Sequence, residues 1–179
     1  EQLKYYHDLA ALEPRVFLIY TRRDLDILVY NWHIAKTPDV RPVGLIMLME
    51  GADPIVDPSE LPQWYEQGLR IVGPSWERSR YAGGTGSPGP LTALGYALLS
   101  NMERLGMILD VSHLAEESFW QALEVFHGTV IASHSNCRAY VPTDRHLTDG
   151  MICAIAKRGG VIGTAFLNEF LVANWNPGD

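Results

Sequence analysis

Three side chains of metal-ligand type stand at the ends of apolar segments. Glu50 ends PVGLIMLME, His113 ends MILDVSH and His134 ends VIASH. Imidazole nitrogen and carboxylate oxygen are donors that zinc and similar divalent ions take in proteins. A carboxylate can also bridge two ions, and paired ions can activate one shared water. The pattern alone leaves a metal site and ordinary structural roles, such as hydrogen-bonded histidines and a helix-capping glutamate, about equally open.

Apolar segments of β type alternate along the chain with segments of helical period. Continuous apolar strands separated by helices predict an α/β fold with a parallel sheet, either doubly wound or a (β/α) barrel. In both folds the carboxyl ends of the strands meet at one edge, where functional groups collect. The predicted strands are residues 15–20, 42–50, 69–75, 107–112, 129–133 and 161–166, and the predicted helices are residues 22–36, 58–68, 92–106, 115–127 and 148–160. The residues at or just after four strand ends are therefore predicted to converge: Glu50, Trp76, His113 and His134.

Local signals mark some ends of these elements. Gly68 is predicted to be a left-handed helix C-cap, and Thr148 a helix N-cap. Residues 77–90 contain four glycines and two prolines, which predicts a long flexible loop. His127 is predicted in the last turn of a helix, where a cation suits the helix dipole. The other two helical histidines are predicted to be solvated: His7 and His33.

Polar residues near the predicted edge have several possible roles. Asp110 lies inside its predicted strand and either orients a neighbour or caps a backbone amide. Residues 136–149 form a predicted loop that carries Arg138 and Arg145. An arginine beside a metal site can hold a substrate carboxylate through its two-pronged guanidinium. For Arg138, an ordinary surface position is slightly favoured.

Composition excludes some classes of function. The formal net charge is −7 and there is no cluster of Lys and Arg, which argues against nucleic acid and anionic membrane surfaces as partners. Cys137 and Cys153 lack CxxC spacing, so free thiols and a reducing, cytoplasmic location are expected. The longest apolar run, residues 43–49, is too short to span a membrane. The first 14 residues are amphipathic and charged, unlike a signal peptide.

Three longer motifs resemble the M19 peptidases, the renal or membrane dipeptidase family. They are MEGADPI at 49–55, GPLTALGYALLSNMERLGMILDVSH at 89–113 and VIASHSNCRAYVPTDRHLTD at 130–149. The resemblance runs from about residue 15 to residue 166. The run LRIVGPSW, followed by RYAGGTGSPGPLT, is most similar to the bacterial branch.

The resemblance implies a (β/α)₈ metal-dependent hydrolase with two zinc ions. Its substrates would be dipeptides, including those with a C-terminal D-residue, attacked by a hydroxide that bridges the metals. Glu50 resembles the bridging carboxylate, and His113 and His134 resemble the two histidines of the second metal. Arg145, eleven positions after His134, matches the arginine that holds the substrate carboxylate and is preferred to Arg138. Trp76 stands where animal members have a histidine that stabilises the tetrahedral intermediate, and it is predicted to be a substrate-site residue.

Two expected features of the family have no counterpart in the sequence. One is the His-x-Asp pair that holds the first metal, since His7 and Asp8 are adjacent and lie in a helical pattern. The other is an aspartate after the last barrel strand. In addition, His146 replaces the asparagine that often follows the substrate arginine. These departures predict that residues 1–179 form one incomplete barrel domain with strands two to seven of eight, binding one zinc ion or none by itself.

Alternative functions are a catalytically inactive, truncated metal-binding fragment and another metal-dependent barrel amidohydrolase, such as a deaminase. The fragment is favoured for these 179 residues alone, because half of the expected metal ligands are missing. Against the second alternative, no strand-end lysine is available for a carbamylated bridge. A homodimer of the whole protein is a further possibility.

Overall fold

The computed structural model describes residues 1–176 and residue 178. Short 3₁₀ turns occur at Pro38–Val40 and Pro58–Glu60. In chain order, the described helices and strands are α1 (Gln2–Leu12), β1 (Val16–Leu18), α2 (Arg22–Ile34), β2 (Val43–Leu45), β3 (Met47–Glu50), α3 (Leu61–Glu66), β4 (Leu69–Gly73), β5 (Ala82–Gly84), β6 (Ser87–Leu91), α4 (Ala93–Arg104), β7 (Ile108–Asp110), α5 (Glu116–Val125), β8 (Val130–Ile131), α6 (Asp149–Lys157) and α7 (Asn168–Leu171). Within the described part, every helix is too short or too polar to cross a bilayer.

The chain divides into two compact units, and the first comprises Glu1–Leu48 with Gln63–Arg70. Its strands β1 and β2 pair in parallel, with Val16 opposite Val43. The Thr21 hydroxyl accepts from the Asp24 amide and the Asp24 carboxylate accepts from the Thr21 amide, which closes the first turn of α2. His7 on α1 and His33 on α2 are exposed, as predicted.

The second unit comprises Met49–Pro62 and the chain from Ile71 onward. This unit contains β7, β8, residues 49–50 of β3 and residues 71–73 of β4, in the strand order β3-β4-β7-β8. Parallel pairing places Ile71 opposite Ile108 and Leu109 opposite Val130. Helices α4 and α5 have inner faces that are fully buried, because apolar residues recur at helical spacing. The core side chains of these elements include Val72, Leu98, Leu109, Phe119 and Val130. In a parallel sheet the strand ends share one edge, and this edge carries the polar groups described below.

The glycine-rich segment 77–90 is not the flexible loop that the sequence predicts. It contains the antiparallel hairpin β5–β6, in which Ala82 lies opposite Leu91. A Cβ atom on Gly84 would lie 1.8 Å from the carbonyl oxygen of Glu77, and one on Gly83 would lie 2.4 Å from the amide nitrogen of Gly89. These glycines therefore permit close approach of backbones, and their abundance indicates tight packing here rather than mobility.

The predicted strand 161–166 is also wrong, because only a single bridge forms there, between Ala132 and Ile162. Pairing ends after Gly163, and Phe166 is 84% exposed. An apolar segment forms a strand only where its backbone N–H and C=O groups also find hydrogen-bond partners along the whole segment. Prediction of the 42–50 strand was correct in type, although the strand breaks at Ile46 into β2 and β3.

Predicted helix ends are mostly close to the observed ones. Gly68 has a φ of 105°, and the Thr148 hydroxyl accepts from the amide of Met151, so both predicted caps are confirmed. His127 is an exception, because α5 ends at Val125. His127 lies beyond the helix with its Nδ1 atom 3.4 Å from the Glu103 carboxylate, and the predicted position in the last helical turn is wrong.

A buried hydrogen bond offers a stability test of the second unit. The hydroxyl of Tyr81 donates to the carbonyl oxygen of Ile55, and both residues are fully buried. Tyr81→Phe leaves that carbonyl without its partner and is expected to lower the free energy of unfolding by about 1–3 kcal/mol. Tyr96→Phe, at a 40% exposed position on α4, is the matched control and should change it by less than about 0.5 kcal/mol. Urea denaturation measures both, and equal effects would contradict the prediction.

Candidate metal centre

Three of the predicted residues meet at the carboxyl edge of the second unit's sheet. Glu50 is the last residue of β3, while His113 and His134 follow β7 and β8. The Oε1 atom of Glu50 lies 3.0 Å from Nε2 of His113 and 2.9 Å from Nε2 of His134. The two Nε2 atoms are 3.1 Å apart. The strand register that places Leu109 opposite Val130 thus brings residues 21 positions apart into direct contact.

His113 is held in an unusual backbone conformation. Its φ is 69°, in the left-handed region that few residues other than glycine adopt, and such backbone conformations cluster at functional sites. The Thr85 hydroxyl lies 3.0 Å from Nδ1 of the His113 ring, which leaves Nε2 directed at Glu50. Burial, helped by the positive charge of Arg145, lowers the pKa of His113 to about 4. The ring is therefore neutral at neutral pH, as a metal ligand must be.

The cluster has the electrostatic character of a cation site. A neutral imidazole carries one N–H, so a ring whose Nδ1 is protonated presents a lone pair at Nε2. Glu50, His113 and His134 can therefore direct three lone pairs, on atoms within 3.1 Å of each other, at one cation. Zinc bonds to nitrogen and oxygen are about 2.0–2.2 Å long, so all three donors can reach one ion. The residues present therefore fit a divalent metal.

The cluster opens into a cavity of about 600 Å³. Arg145, on the loop before α6, lines it and is only 5% exposed. The Arg145 guanidinium donates to the Ser135 hydroxyl at 3.1 Å and to the carbonyl oxygen of His134 at 2.5 Å, while Nε lacks a partner within the described residues. Burial lowers the pKa of Arg145 from its ordinary value. An arginine at the wall of a cavity is suited to bind a carboxylate.

Residues 2–177 match the model of the membrane dipeptidase family, peptidase family M19. The chain belongs to this family. Its α/β fold with parallel strands confirms the predicted class, part of a (β/α)₈ barrel, since the M19 dipeptidases of known structure share this fold over about half of their length.

Several relatives extend the family assignment. The chain is 30% identical, over 96% of its length, to an uncharacterized protein in the PQQ-III 3′ region of Acinetobacter calcoaceticus, and covers 55% of it. The structure of the probable dipeptidase PvdM from Pseudomonas aeruginosa is similar with a TM-score of 0.85, at 25% identity, over 96% of this chain and 44% of PvdM. A metallopeptidase from Rhodobacter sphaeroides, liganded with a phosphinate mimic of the dipeptide L-Ala-D-Ala, is similar with a TM-score of 0.76, at 30% identity, over 90% of this chain and 46% of that protein. The chain therefore spans about half the length of these relatives.

Trp76 and Arg138, the other residues considered for the substrate site, differ in whether they line the cavity. Trp76 is 56% exposed and lines the cavity, with its ring centroid 6.0 Å from that of His113. Arg138 does not line the cavity, because its guanidinium pairs with Glu116 at 2.6 Å and donates to the carbonyl oxygen of His146. Of the two arginines on this loop, Arg145 is the one that lines the cavity with Glu50, His113 and His134.

Other residues of the site had no identifiable signal in the sequence. Thr85 lies in the glycine-rich segment, where its role depends on the hairpin. Asp144 accepts from the amide of Gly86 at 2.7 Å and so joins the arginine loop to the hairpin tip. Phe170 packs against the cavity, with the Arg145 guanidinium 5.2 Å from its ring centroid. Ser133 precedes His134 in the sequence, and its hydroxyl oxygen lies 2.7 Å from Nδ1 of the His134 ring.

Proposed function

We propose that the whole protein is a metal-dependent dipeptidase in which Glu50, His113 and His134 hold a divalent ion, zinc in particular. The observation that carries the proposal is the cluster of three lone-pair donors within 3.1 Å of one another, at a cavity that Arg145 also lines. Family membership supports the reaction class. The dipeptide mimic bound by the Rhodobacter sphaeroides relative supports the substrate class, including a D-residue at the C-terminal position.

Each residue contributes a separate part of the chemistry. A bound divalent ion supplies Lewis-acid polarisation of the peptide carbonyl and lowers the pKa of water. Glu50 contributes the negative charge of the ligand set, and its second carboxylate oxygen is available for another cation. Arg145 holds the C-terminal carboxylate of the dipeptide, which fixes the scissile bond relative to the cluster. Trp76 forms an apolar wall for the substrate.

Metal depletion of the whole protein tests this proposal. Hydrolysis of L-Ala-L-Ala and L-Ala-D-Ala is expected to stop after chelation and to return on addition of zinc, with binding followed by calorimetry. Hydrolysis that continues unchanged in the metal-free protein would contradict the proposal. Zinc binding without turnover of either dipeptide would favour the inactive metal-binding alternative. Turnover of other amides but not of dipeptides would favour another amidohydrolase, and sedimentation in the same samples would test the predicted homodimer.

A further inference from the structure

Asp110 and Ser133 form a chain of hydrogen bonds that ends at the His134 ring, and the donor and acceptor in each contact can be assigned. Asp110, the last residue of β7, is 1% exposed. Its Oδ1 atom accepts from the amides of Ser112 at 3.0 Å and Ser133 at 2.9 Å. The other oxygen, Oδ2, contacts the hydroxyl of Ser133. The same hydroxyl oxygen lies 2.7 Å from Nδ1 of His134.

The number of protons determines which atom donates in each contact. A carboxylate can only accept, so the contact between Ser133 and Asp110 uses the single proton of the serine hydroxyl. The Ser133 oxygen then has only lone pairs to offer to the His134 ring. The contact at 2.7 Å consequently requires a proton on Nδ1 of His134. A neutral ring with that proton presents a lone pair at Nε2, the atom nearest Glu50 and His113.

We propose that Asp110 and Ser133 are positioning residues that set the tautomer of His134 and so prepare its Nε2 atom to bind metal. The hydrogen bonds from the two backbone amides fix the Asp110 carboxylate, and the carboxylate fixes the direction of the serine hydroxyl. The inference depends on the proposed function for its purpose, because a prepared lone pair is useful only if a cation binds there. The tautomer itself, however, is a property of the metal-free protein and can be measured without turnover.

Asp110→Asn gives the sharpest test, because the amide has a predictable orientation. The two backbone amides require an oxygen at the Oδ1 position, so the NH₂ group must take the place of Oδ2. That group would donate to the Ser133 oxygen, and the serine proton would turn to Nδ1 of His134. The ring is then expected to carry its proton on Nε2, which is the wrong tautomer for metal binding.

Histidine ¹⁵N spectra of the metal-free whole protein report the tautomer directly, with the His134 signals assigned by comparison with His134→Gln. The wild-type protein is expected to show a protonated Nδ1 and a bare Nε2 at His134, and Asp110→Asn the reverse. Ser133→Ala should give a mixture, whereas Ser133→Thr keeps the hydroxyl and should restore the wild-type pattern. Backbone amide spectra of each variant check that the fold is retained.

Zinc affinity provides the second readout. Loss of a partner behind a metal-binding histidine typically costs about 10- to 100-fold in affinity, so Ser133→Ala is expected near the lower value and Asp110→Asn near the upper. Ser133→Thr should remain within about threefold of wild type by the same reasoning. A wild-type ring protonated on Nε2, or an unchanged tautomer in both Ser133→Ala and Asp110→Asn, would overturn the inference. Failure of the wild-type protein to bind zinc, with the expected tautomers observed, would instead overturn the proposed function and leave the tautomer assignment standing.

Discussion

Glu50→Gln is expected to abolish most of the dipeptidase activity and zinc binding of the whole protein. The substitution keeps the size of the side chain but removes the anionic oxygen that lies 3.0 Å or less from both histidine nitrogens. The glutamine NH₂ group can also donate to one of the Nε2 lone pairs, so the cluster becomes satisfied without a cation. Metal ions stabilise transition-state charge by several kcal/mol, which corresponds to a fall in kcat/KM of about a thousandfold.

The control for Glu50→Gln is a carboxylate in the same cavity. Glu77 lines the cavity and is exposed, but it does not belong to the metal-ligand cluster. Glu77→Gln makes the same chemical change and should alter kcat/KM by no more than about threefold, as expected for an exposed position. Steady-state hydrolysis of L-Ala-D-Ala at fixed zinc, with calorimetric zinc titration of both variants, gives the comparison. Similar falls in kcat/KM in the two variants would show that activity depends on the negative charge of the cavity and not on the position of the carboxylate relative to the histidines.

Much of the site could be predicted because it depends on strand order and register. Glu50, His113 and His134 each follow a predicted strand, and parallel pairing brings the ends of such strands to one edge whatever the exact helix lengths. Errors of one or two residues in an element boundary therefore did not affect the outcome. Arg145 was different, because it lies in a loop where no periodicity applies. Its preference over Arg138 came from resemblance to the M19 family, and the ion pair that directs Arg138 to Glu116 is a tertiary contact that the sequence pattern does not contain.

Other features could not be predicted because the same sequence signal fits two structures. Glycine allows both a mobile loop and close contact between backbones, and only the approach of Gly84 to Glu77 shows which applies in the hairpin. The apolar residues 161–166 satisfy the pattern of a strand, but a strand needs hydrogen-bonded neighbours that the pattern cannot supply. Thr85 lies beside His113 only because the hairpin exists. The left-handed conformation of His113 likewise has no marker in the apolar pattern of its strand.

Arg145→Lys is expected to weaken use of dipeptides that carry a free C-terminal carboxylate. Lysine keeps the positive charge but loses the planar, two-pronged donor set, so it cannot hold a carboxylate in the same orientation. Breaking a buried hydrogen-bonded charge pair costs about 2–5 kcal/mol, so kcat/KM should fall by at least about 30-fold. Because Arg145 also donates to Ser135 and His134, a loss of activity alone would not show that the substrate carboxylate is the partner.

A comparison of two substrates separates those explanations. The wild-type protein should use a C-terminally amidated dipeptide much less well than the free dipeptide, whereas Arg145→Lys should treat the two nearly alike. This cycle cancels any general disturbance of the cluster, because that disturbance affects both substrates equally. Arg138→Lys, an arginine of the same loop that lies outside the cavity, should discriminate as strongly as wild type. If Arg145→Lys retains the full preference for the free carboxylate, Arg145 does not bind that group, and another cation of the whole protein must do so.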